Sequence, residues 1–350
     1  MGNQKSKSKK CNLVLMILIT GGTGMVGAHL LLACAKKNLP TIALFRAKKN
    51  INKVSALFKL LAPENPEFFN LIEWQEANLN DIVKLDKIFK NITCVYHCAA
   101  RVSYAEYHRE KLIKTNIEGT ANTINLALKY NIKKFVFVSS IASLGAGSSV
   151  SIVNEDHHWN SNEIHTPYAY SKYGAELEVW RGAQEGLDVV IVNPGVILGS
   201  HFWDQSSGIL IKKVSKGMIF YPTGNIAIVA LEDVVKILIK LMESSIKNER
   251  FILVSKNLKY KNLIEKIAVD LSSKKPFFAL SKPLLNILLI IDKIGCALGL
   301  KKGFLNRATI KSLCSQQHYD GTKIERILNF TYQDTELTFK KIKEDLKTSF

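Results

Sequence analysis

Residues 14–32 read VLMILITGGTGMVGAHLLL. An unbroken apolar run, Val14 to Ile19, is followed by the spaced glycines Gly21, Gly24 and Gly27 and then by a helical pattern of apolar residues. This order predicts a buried strand, a tight turn and a helix, which is typical of the first βα unit of a dinucleotide-binding fold. An ordinary strand–turn–helix with small packing residues is the alternative.

Each glycine of this turn is expected to have its own task. Gly21 permits a sharp turn after the strand, Gly24 allows the backbone to approach a pyrophosphate, and Gly27 allows the helix to pack close to the strand. The first N–H groups of the helix and the positive end of its dipole then face the phosphates. The expected cofactor contacts in this turn are Gly21, Thr23, Gly24, Met25, Val26 and Gly27.

The turn also carries a family resemblance. Its TGxxGxxG spacing resembles that of the extended short-chain dehydrogenase/reductase family, which includes nucleotide-sugar epimerases and dehydratases, dihydroflavonol reductases and 3β-hydroxysteroid dehydrogenases. The resemblance implies an α/β fold, with a doubly wound parallel sheet (a Rossmann fold) and a smaller, mostly helical C-terminal substrate lobe. It is closest to the dihydroflavonol reductase and 3β-hydroxysteroid dehydrogenase-like branch, and its motifs are specific as far as Gly199.

The expected organisation has three parts. Residues 1–13 form a disordered basic leader, residues 14–192 with 226–256 form the Rossmann domain, and residues 193–225 with 257–350 form the substrate-binding lobe. A length of 350 residues fits one large domain with a smaller lobe.

The leader MGNQKSKSKK has two interpretations. Gly2 and Ser6 match the N-myristoylation pattern, and the lysines between residues 5 and 10 supply the second, polybasic signal that stable anchoring needs. Alternatively, the segment is a leader upstream of a start at Met16. The apolar run from Leu13 is only as long as a strand and does not resemble a secretory signal.

Composition indicates an ordered enzyme-sized protein, with 47% hydrophobic residues and 8 prolines. The six cysteines show neither a CxxC pair nor a His/Cys ligand spacing, so we expect reduced thiols, a cytoplasmic location and no metal site. The net charge of +18 comes from lysines spread along the chain without a nucleic-acid-binding motif. We therefore expect a basic surface and no nucleic-acid partner, while a phosphate-bearing cofactor or a lipid surface remains compatible.

The second predicted strand, Thr41 to Arg46, suggests which cofactor binds. A free ribose 2′-hydroxyl usually meets an acidic residue at the end of this strand, but here the strand ends in Arg46. A guanidinium pairs well with a phosphate, so we expect NADP(H), with NAD less favoured. The segment RAKKNINKV that begins there also resembles the dihydroflavonol reductase branch. A surface arginine without this role is the alternative.

Two later segments are expected to border the cofactor. Asn78 and Leu79 stand where family members commonly have Asp-Leu against the adenine. A fourth predicted strand, Thr93 to Cys98, is followed by Ala99 and Ala100, whose small side chains would let the backbone pass under the cofactor.

Two polar residues in these segments are expected to be structural. His97 is interpreted as a packed core histidine, since no second metal ligand lies at a useful spacing. Asn116, in a predicted helix from Glu106 to Tyr130, resembles the family's NxxGT motif. It is expected to tie backbone between strands four and five.

We expect the catalytic residues at the carboxyl end of a fifth predicted strand, Lys134 to Ser140, which ends in two serines. Tyr168 and Lys172 follow at a spacing of four residues, so on a helix both project from one face. An ammonium one turn away would favour the phenolate and lower the pKa of Tyr168.

These residues match the family's Ser and YxxxK motifs. The resemblance implies that Tyr168 exchanges a proton with the substrate oxygen and that Ser140 hydrogen-bonds the same oxygen, with Ser139 as the alternative. It implies that Lys172 holds the nicotinamide ribose and tunes Tyr168.

Two features follow the YxxxK motif. One is a further predicted cofactor contact, and the other is an apolar stretch with two interpretations. Pro194 and Gly195 follow a sixth predicted strand, Leu187 to Val192, and resemble the turn that borders the nicotinamide, where the glycine would leave room for the ring. Asn286, Asp292 and Lys293 interrupt the apolar stretch 283–300, and its uninterrupted portion is too short to span a bilayer. A helix lining an apolar cleft is the first interpretation, and docking on a membrane surface is the second.

The sequence thus predicts an NADP(H)-dependent carbonyl reductase or alcohol dehydrogenase for an apolar small molecule, acting as a monomer or homodimer. The first alternative is a nucleotide-sugar epimerase or dehydratase with tightly held NAD. The second is a nonenzymatic NADP-sensing or scaffold protein, against which an intact Ser/Tyr/Lys set argues.

Overall fold

The computed structural model describes residues 15–145, 151–299, 303 and 305–349. The predicted leader over 1–13 and its acylation pattern therefore lie outside the described residues. Within the described ranges the strands are β1 (Ile17–Thr20), β2 (Thr41–Phe45), β3 (Ile72–Glu76), β4 (Cys94–His97), β5 (Lys134–Val138), β6 (Ile152–Val153), β7 (Val189–Pro194), β8 (Val196–Leu198), β9 (Phe220–Pro222), β10 (Asn225–Ala230), β11 (Glu249–Leu253), β12 (Lys256–Lys259), β13 (Phe278–Leu280) and β14 (His318–Tyr319).

The α-helices of the same ranges are α1 (Met25–Lys36), α2 (Lys49–Leu61), α3 (Ile82–Phe89), α4 (Arg109–Leu112), α5 (Gly119–Lys129), α6 (Pro167–Gln184), α7 (Ser206–Ser215), α8 (Leu231–Glu243), α9 (Tyr260–Asp270), α10 (Lys282–Ala297), α11 (Arg307–Leu313), α12 (Thr322–Leu328) and α13 (Thr335–Ser349). Short 3₁₀ turns occur at Pro66–Leu71, Glu106–His108 and Ile141–Leu144.

Seven parallel strands form the main sheet, in the order β11-β7-β5-β4-β1-β2-β3. Strand β1 is completely buried, and its side chains alternate between two cores: Ile17 and Ile19 join one, and Leu18 joins the other. A strand covered on both faces reads as a continuous apolar run, which is why residues 17–19 carry no polar alternation. This arrangement confirms the predicted doubly wound α/β fold.

Smaller sheets lie beside the main one. Strands β12, β10 and β8 form a three-stranded sheet, so β10 lies outside the seven-stranded sheet although its residues fall in the predicted Rossmann domain. Conversely, Ile324 of α12 joins the core of the main sheet although the predicted lobe includes it. Strand β10 and helix α12 therefore pack across the predicted boundary, and the division into two parts stays a prediction.

The predicted long helix over 106–130 is interrupted. Between α4 and α5, residues Ile113–Glu118 form a π-helical segment. A π turn contains one more residue than an α turn and is frequent at functional sites. Asn116 lies within it and is 1% exposed.

Candidate active site

A cleft with a volume of about 550 Å³ opens at the carboxyl ends of β1, β4, β5 and β7. Ligands of open parallel sheets bind at this edge. Of the predicted site residues, those that line the cleft are Gly21, Gly24, Met25, Val26, Gly27, Ala100, Ser140, Tyr168, Lys172, Pro194 and Gly195. The alternative serine, Ser139, lines it as well.

The glycine turn is built as the sequence predicts at two positions. Gly21 has a φ of +70°, and a Cβ there would stand 2.7 Å from the backbone of Ala99. A Cβ on Gly27 would collide with the Gly21 carbonyl group. The helix can therefore begin directly against the turn only because both residues lack a side chain.

Gly24 differs from the other two glycines. It is the N-cap of α1, where the structure shows no side-chain cap, and a Cβ built on it meets only the Gly21 carbonyl oxygen, at 3.4 Å. Met25 and Val26 follow on the cleft wall. The start of α1 thus offers backbone N–H groups and a positive dipole end to the cleft, which fits an anionic group such as a pyrophosphate.

Helix α6 begins where its first residues dictate. Thr166 is the N-cap, and its Oγ1 accepts a hydrogen bond from the N–H of Ala169 at 3.1 Å. Pro167 occupies the first turn, where a missing N–H costs nothing. Tyr168 therefore lies at the start of the helix and Lys172 one turn later.

Ser140 and Tyr168 both line the cleft, where Ser140 acts on the Tyr168 phenol to lower its pKa. Ser140 follows β5 and caps the next 3₁₀ turn, where its Oγ accepts from the N–H of Ala142 at 3.2 Å. Ser139 is buried and donates to Ser143 instead, at 3.3 Å. The geometry thus favours Ser140 over Ser139 as the partner of the phenol.

Burial raises the pKa of Tyr168 above its ordinary value, and the hydrogen bond from Ser140 opposes this shift. Lys172 is not among the groups that shift the pKa of Tyr168. Its Nζ donates to the Val138 carbonyl oxygen at 2.8 Å and lies 4.6 Å from the centre of the Phe137 ring. The expected lowering of the phenol pKa by Lys172 is therefore absent from this structure.

Lys172 is 1% exposed, and burial lowers its pKa to about 8. The charge of Glu176, one helical turn further along α6, opposes that shift. Glu176 is 2% exposed and accepts hydrogen bonds from Ser143 and Asn193, each at 2.5 Å, while Arg250 lies 3.7 Å away. This carboxylate joins the turn after Ser140 to strand β7.

Sequence analysis missed the Glu176 cluster, although one signal for it exists. Glu176 stands four residues after Lys172, so the two share a helix face. A carboxylate on the buried face of a catalytic helix needs partners. Its partners are distant in sequence, and no local pattern identifies them.

Asn116 connects the segment after β4 to the catalytic helix. Its Oδ1 accepts from the Arg101 N–H at 2.7 Å, and its Nδ2 donates to the Arg101 carbonyl at 2.9 Å and to the Ser171 hydroxyl at 2.8 Å. The expected backbone tie is present, but it leads to helix α6 rather than to β5.

His97 is a core residue, as predicted. Its Nδ1 lies 2.8 Å from the Thr20 hydroxyl and its Nε2 lies 3.0 Å from the Thr120 hydroxyl. Complete burial lowers its pKa to about 3, so the ring is neutral at physiological pH. No group of three or more metal-ligating side chains occurs in the described part of the chain.

The remaining predicted cofactor contacts lie outside the described cleft lining: Thr23, Arg46, Asn78, Leu79 and Ala99. Arg46 and Asn78 are exposed, and Leu79 is buried against Gly119. The backbone of Ala99 packs against Gly21 of the glycine turn, and its N–H donates to the Thr20 hydroxyl at 3.2 Å. Their contacts with a cofactor stay predictions.

Two expectations need correction. A Cβ on Gly195 would stand 2.6 Å from the Ala227 carbonyl oxygen, so the missing side chain makes room for strand β10 rather than for a ring. The apolar helix α10 does not line the described cleft; the next helix, α11, does so through Ala308, Lys311 and Ser312. The first interpretation of the stretch 283–300 is therefore wrong.

A family model described as the NAD dependent epimerase/dehydratase family matches residues 17–253. The chain belongs to this family. The family binds NAD(P), and its members are oxidoreductases, epimerases and dehydratases of the extended short-chain dehydrogenase type. The resemblance seen in the sequence motifs is thereby confirmed.

Relatives in this family include reductases and epimerases. A Synechocystis protein provisionally assigned as a dihydroflavonol 4-reductase is 30% identical over 221 residues, covering 62% of this chain and 60% of its own length. Tetraketide alpha-pyrone reductase 2 of Arabidopsis thaliana is 27% identical and is matched over 71% of this chain and 80% of its own. UDP-glucose 4-epimerase of Vibrio cholerae is 26% identical, over 77% of this chain and 79% of its own.

Solved structures share the whole fold of the epimerase/dehydratase family. The protein gox2253 matches with a TM-score of 0.80 and 22% identity, covering 95% of this chain and 98% of its own. A dTDP-glucose 4,6-dehydratase of Streptomyces venezuelae, solved with NAD, matches with a TM-score of 0.71 and 19% identity over 95% and 96%. At sequence identities of 22% and 19%, this structural similarity establishes the fold of the chain.

Proposed function

We propose that this chain is an NADP(H)-dependent oxidoreductase that interconverts a ketone and a secondary alcohol on an apolar small molecule. The observation that carries the proposal is that Ser140 and Tyr168 line the same cleft as the glycine turn, with Lys172 one helical turn from the phenol. Binding a dinucleotide requires no proton donor, whereas carbonyl reduction does.

The start of α1 fits the pyrophosphate of an NAD(P) cofactor. Gly24 presents no side chain to the cleft, and the N–H groups that follow it have no side-chain cap. Pro194 and Gly195 would border the nicotinamide, and Lys172 would hold its ribose, as the family resemblance implies. When bound, the cofactor supplies or accepts the hydride.

The protein's own residues would handle the substrate oxygen. Ser140 and Tyr168 both donate hydrogen bonds to it, and Tyr168 gives up its proton as the ketone becomes an alcohol. The raised pKa of Tyr168 keeps the phenol protonated at neutral pH, which suits the direction of reduction. In the reverse direction the phenolate accepts the alcohol proton.

The cleft lining favours an apolar substrate. Besides Lys172, the lysine on its described walls is Lys311, and Glu163 neutralises it at 2.6 Å. Lys311 is therefore already paired with a carboxylate and is less available to the phosphates of a nucleotide-sugar substrate. The apolar and aromatic side chains of the lining include Val102, Tyr104, Ile141, Ile164, Val196, Leu210, Ile226, Tyr260 and Tyr319.

The preference for NADP(H) rests on Arg46. It is exposed at the end of β2, where no acidic residue replaces it, and no acidic side chain pairs with it in the described part of the chain. A guanidinium in this position can bind a 2′-phosphate with two parallel hydrogen bonds.

A second candidate function is a nucleotide-sugar epimerase or dehydratase with retained NAD, which the relative from Vibrio cholerae favours. The two are separated by assaying NADPH oxidation with steroid, flavonoid and aliphatic ketones, and epimerisation of UDP- and dTDP-sugars, on the same preparation. We expect turnover of apolar ketones with exchangeable NADPH. Sugar conversion with copurifying NAD and no ketone reduction would overturn the proposal.

A further inference from the structure

Helix α10 has an apolar face that no described part of the chain covers. Its inner side chains Leu285 and Leu289 are buried against Ile310 of α11. Its outer aliphatic side chains are more than half exposed: Ile287 56%, Ile290 58%, Ile291 55%, Ile294 55% and, just beyond the helix, Leu298 67%. At 3.6 residues per turn these five fall within an arc of about 100°.

The segment before the helix extends this surface. Phe277 is the most exposed of the large apolar side chains in the described chain, at 74%, and Phe278 is 45% exposed. Monomeric soluble proteins rarely expose a contiguous apolar patch of this kind unless it binds something. The surface formed by Phe277, Phe278 and the five outer aliphatic residues is called the α10 face below.

The charge around the α10 face identifies its partner. Residues 271–303 contain six lysines and a single acidic residue, Asp292. Asp292 is buried on the inner side, where its Oδ2 accepts from the Leu305 N–H at 3.2 Å. The exposed lysines of the described segment, none of which forms an ion pair there, are Lys274, Lys275, Lys282 and Lys293.

We propose that the α10 face docks on an anionic lipid bilayer, with the helix lying in the plane of the interface. An anionic bilayer offers an apolar interior to the aliphatic side chains and negative headgroups to the flanking lysines. Long lysine side chains reach the headgroups while their stems remain on apolar surface. The helix does not cross the bilayer, because 16 residues extend about 24 Å and a hydrocarbon core is about 30 Å thick.

Docking would bring the bilayer close to the cleft. The inner side of α10 packs on α11, and α11 lines the cleft through Ala308, Lys311 and Ser312. The thickness of helices α10 and α11 therefore separates the docked surface from the substrate space. This places the protein where a membrane-dissolved substrate is concentrated, and the docking itself does not depend on the reaction proposed above.

The test is co-sedimentation of the full chain with vesicles. The protein is produced in a host without N-myristoylation, so that Gly2 carries no acyl chain. We expect binding to phosphatidylcholine vesicles that contain phosphatidylserine and much weaker binding to phosphatidylcholine alone. The triple variant Ile287→Ser, Ile290→Ser, Ile294→Ser should bind anionic vesicles about 100-fold more weakly, because roughly half of each side chain is available for burial.

A matched control removes the same number of exposed apolar side chains elsewhere. Ile82, Val83 and Leu337 are 53%, 70% and 60% exposed, and their triple serine variant should bind like the unmodified chain. Replacing Lys275, Lys282 and Lys293 by Gln should weaken binding about fivefold for each lysine. A variant with the four leader lysines replaced by Gln separates the contribution of the leader.

Three results would overturn the inference. One is equal binding of the α10 variant and its control, and another is binding that disappears with the leader lysines alone. The third is a chain that does not bind vesicles but sediments as a dimer, with the dimer lost when the α10 residues are replaced. The α10 face would then bind a second copy of the chain. Unchanged melting temperatures verify that the variants are folded.

Discussion

Glu176 accepts a hydrogen bond from Asn193 at 2.5 Å, so a buried carboxylate links the catalytic helix α6 to the end of strand β7. Asn193 also donates to the Ser140 carbonyl oxygen at 3.2 Å. The carboxylate therefore acts on two parts of the site: it positions the Ser140 segment, and its charge stabilises the Lys172 ammonium.

Replacing Glu176 by Gln should retain most of these hydrogen bonds while removing the charge. We expect the pKa of Lys172 to fall further, so that the limb of the pH–turnover profile that reports it moves about one unit towards lower pH. Glu178→Gln, two residues along the same helix, is the control and should leave the profile in place. A profile unchanged in Glu176→Gln would limit the carboxylate to a structural role.

Tyr168→Phe should lower the turnover number by roughly 10²- to 10⁴-fold, because the substrate oxygen loses its proton donor. The affinity for NADPH should remain nearly the same and can be measured by fluorescence titration. Tyr170→Phe, at an exposed position of the same helix, should have little effect. Full activity of the Tyr168→Phe variant would contradict the proposed mechanism.

Arg46→Asp should weaken the binding of NADPH by roughly 10²-fold or more and leave the binding of NADH much less affected, since only NADPH carries the 2′-phosphate. The control is Lys90→Asp, which makes the same charge change at the exposed end of α3. Equal losses for both cofactors in Arg46→Asp would refute the phosphate assignment.

The two glycines Gly24 and Gly27 should respond differently to a methyl group. Gly24→Ala has space in the fold and should keep its melting temperature, yet lose affinity for the cofactor because the methyl group stands at the expected pyrophosphate site. Gly27→Ala collides with the Gly21 carbonyl and should unfold at a lower temperature. Thermal melting with and without NADPH measures both effects, and identical behaviour of the two variants would contradict the assigned roles.

His97 makes stability depend on pH. Its pKa is about 3 when folded and 6.5 ordinarily, so the unfolded chain binds the additional proton and stability falls as the pH falls below 6.5. The loss should be about 2 kcal/mol between pH 6.5 and pH 5. In urea unfolding, His97→Gln should lack this pH dependence of the free energy of unfolding, whereas a variant of the exposed His318 should retain it. A pH dependence that is unaltered in His97→Gln would show that the ring is not the group responsible.

The elements that the sequence predicts well are those encoded locally. The buried strand β1, the glycine turn and the Tyr168–Lys172 spacing each depend on residues within one or two helical turns, so periodicity and spacing identify them. The substrate half of the cleft has no such signal. Tyr104 and Tyr260 both line the cleft, and their wide separation in sequence gives no indication of this.

Two errors have the same physical origin. Periodicity indicates that the stretch 283–300 is an apolar helix, but it does not indicate which of its faces the protein covers. Likewise, a glycine after β7 predicts that something approaches closely, and in the folded chain it is strand β10 rather than a ring. In both cases the missing information is the identity of the neighbour.

The π-helical segment Ile113–Glu118 has a consequence for evolution. Deleting one residue there would convert the segment into regular α-helix, so that the side chains of the shortened turn would point in new directions. The Asn116 amide would then leave both Arg101 and Ser171. A change in the length of this segment should therefore be tolerated less well than a change of residue type at its positions other than Asn116.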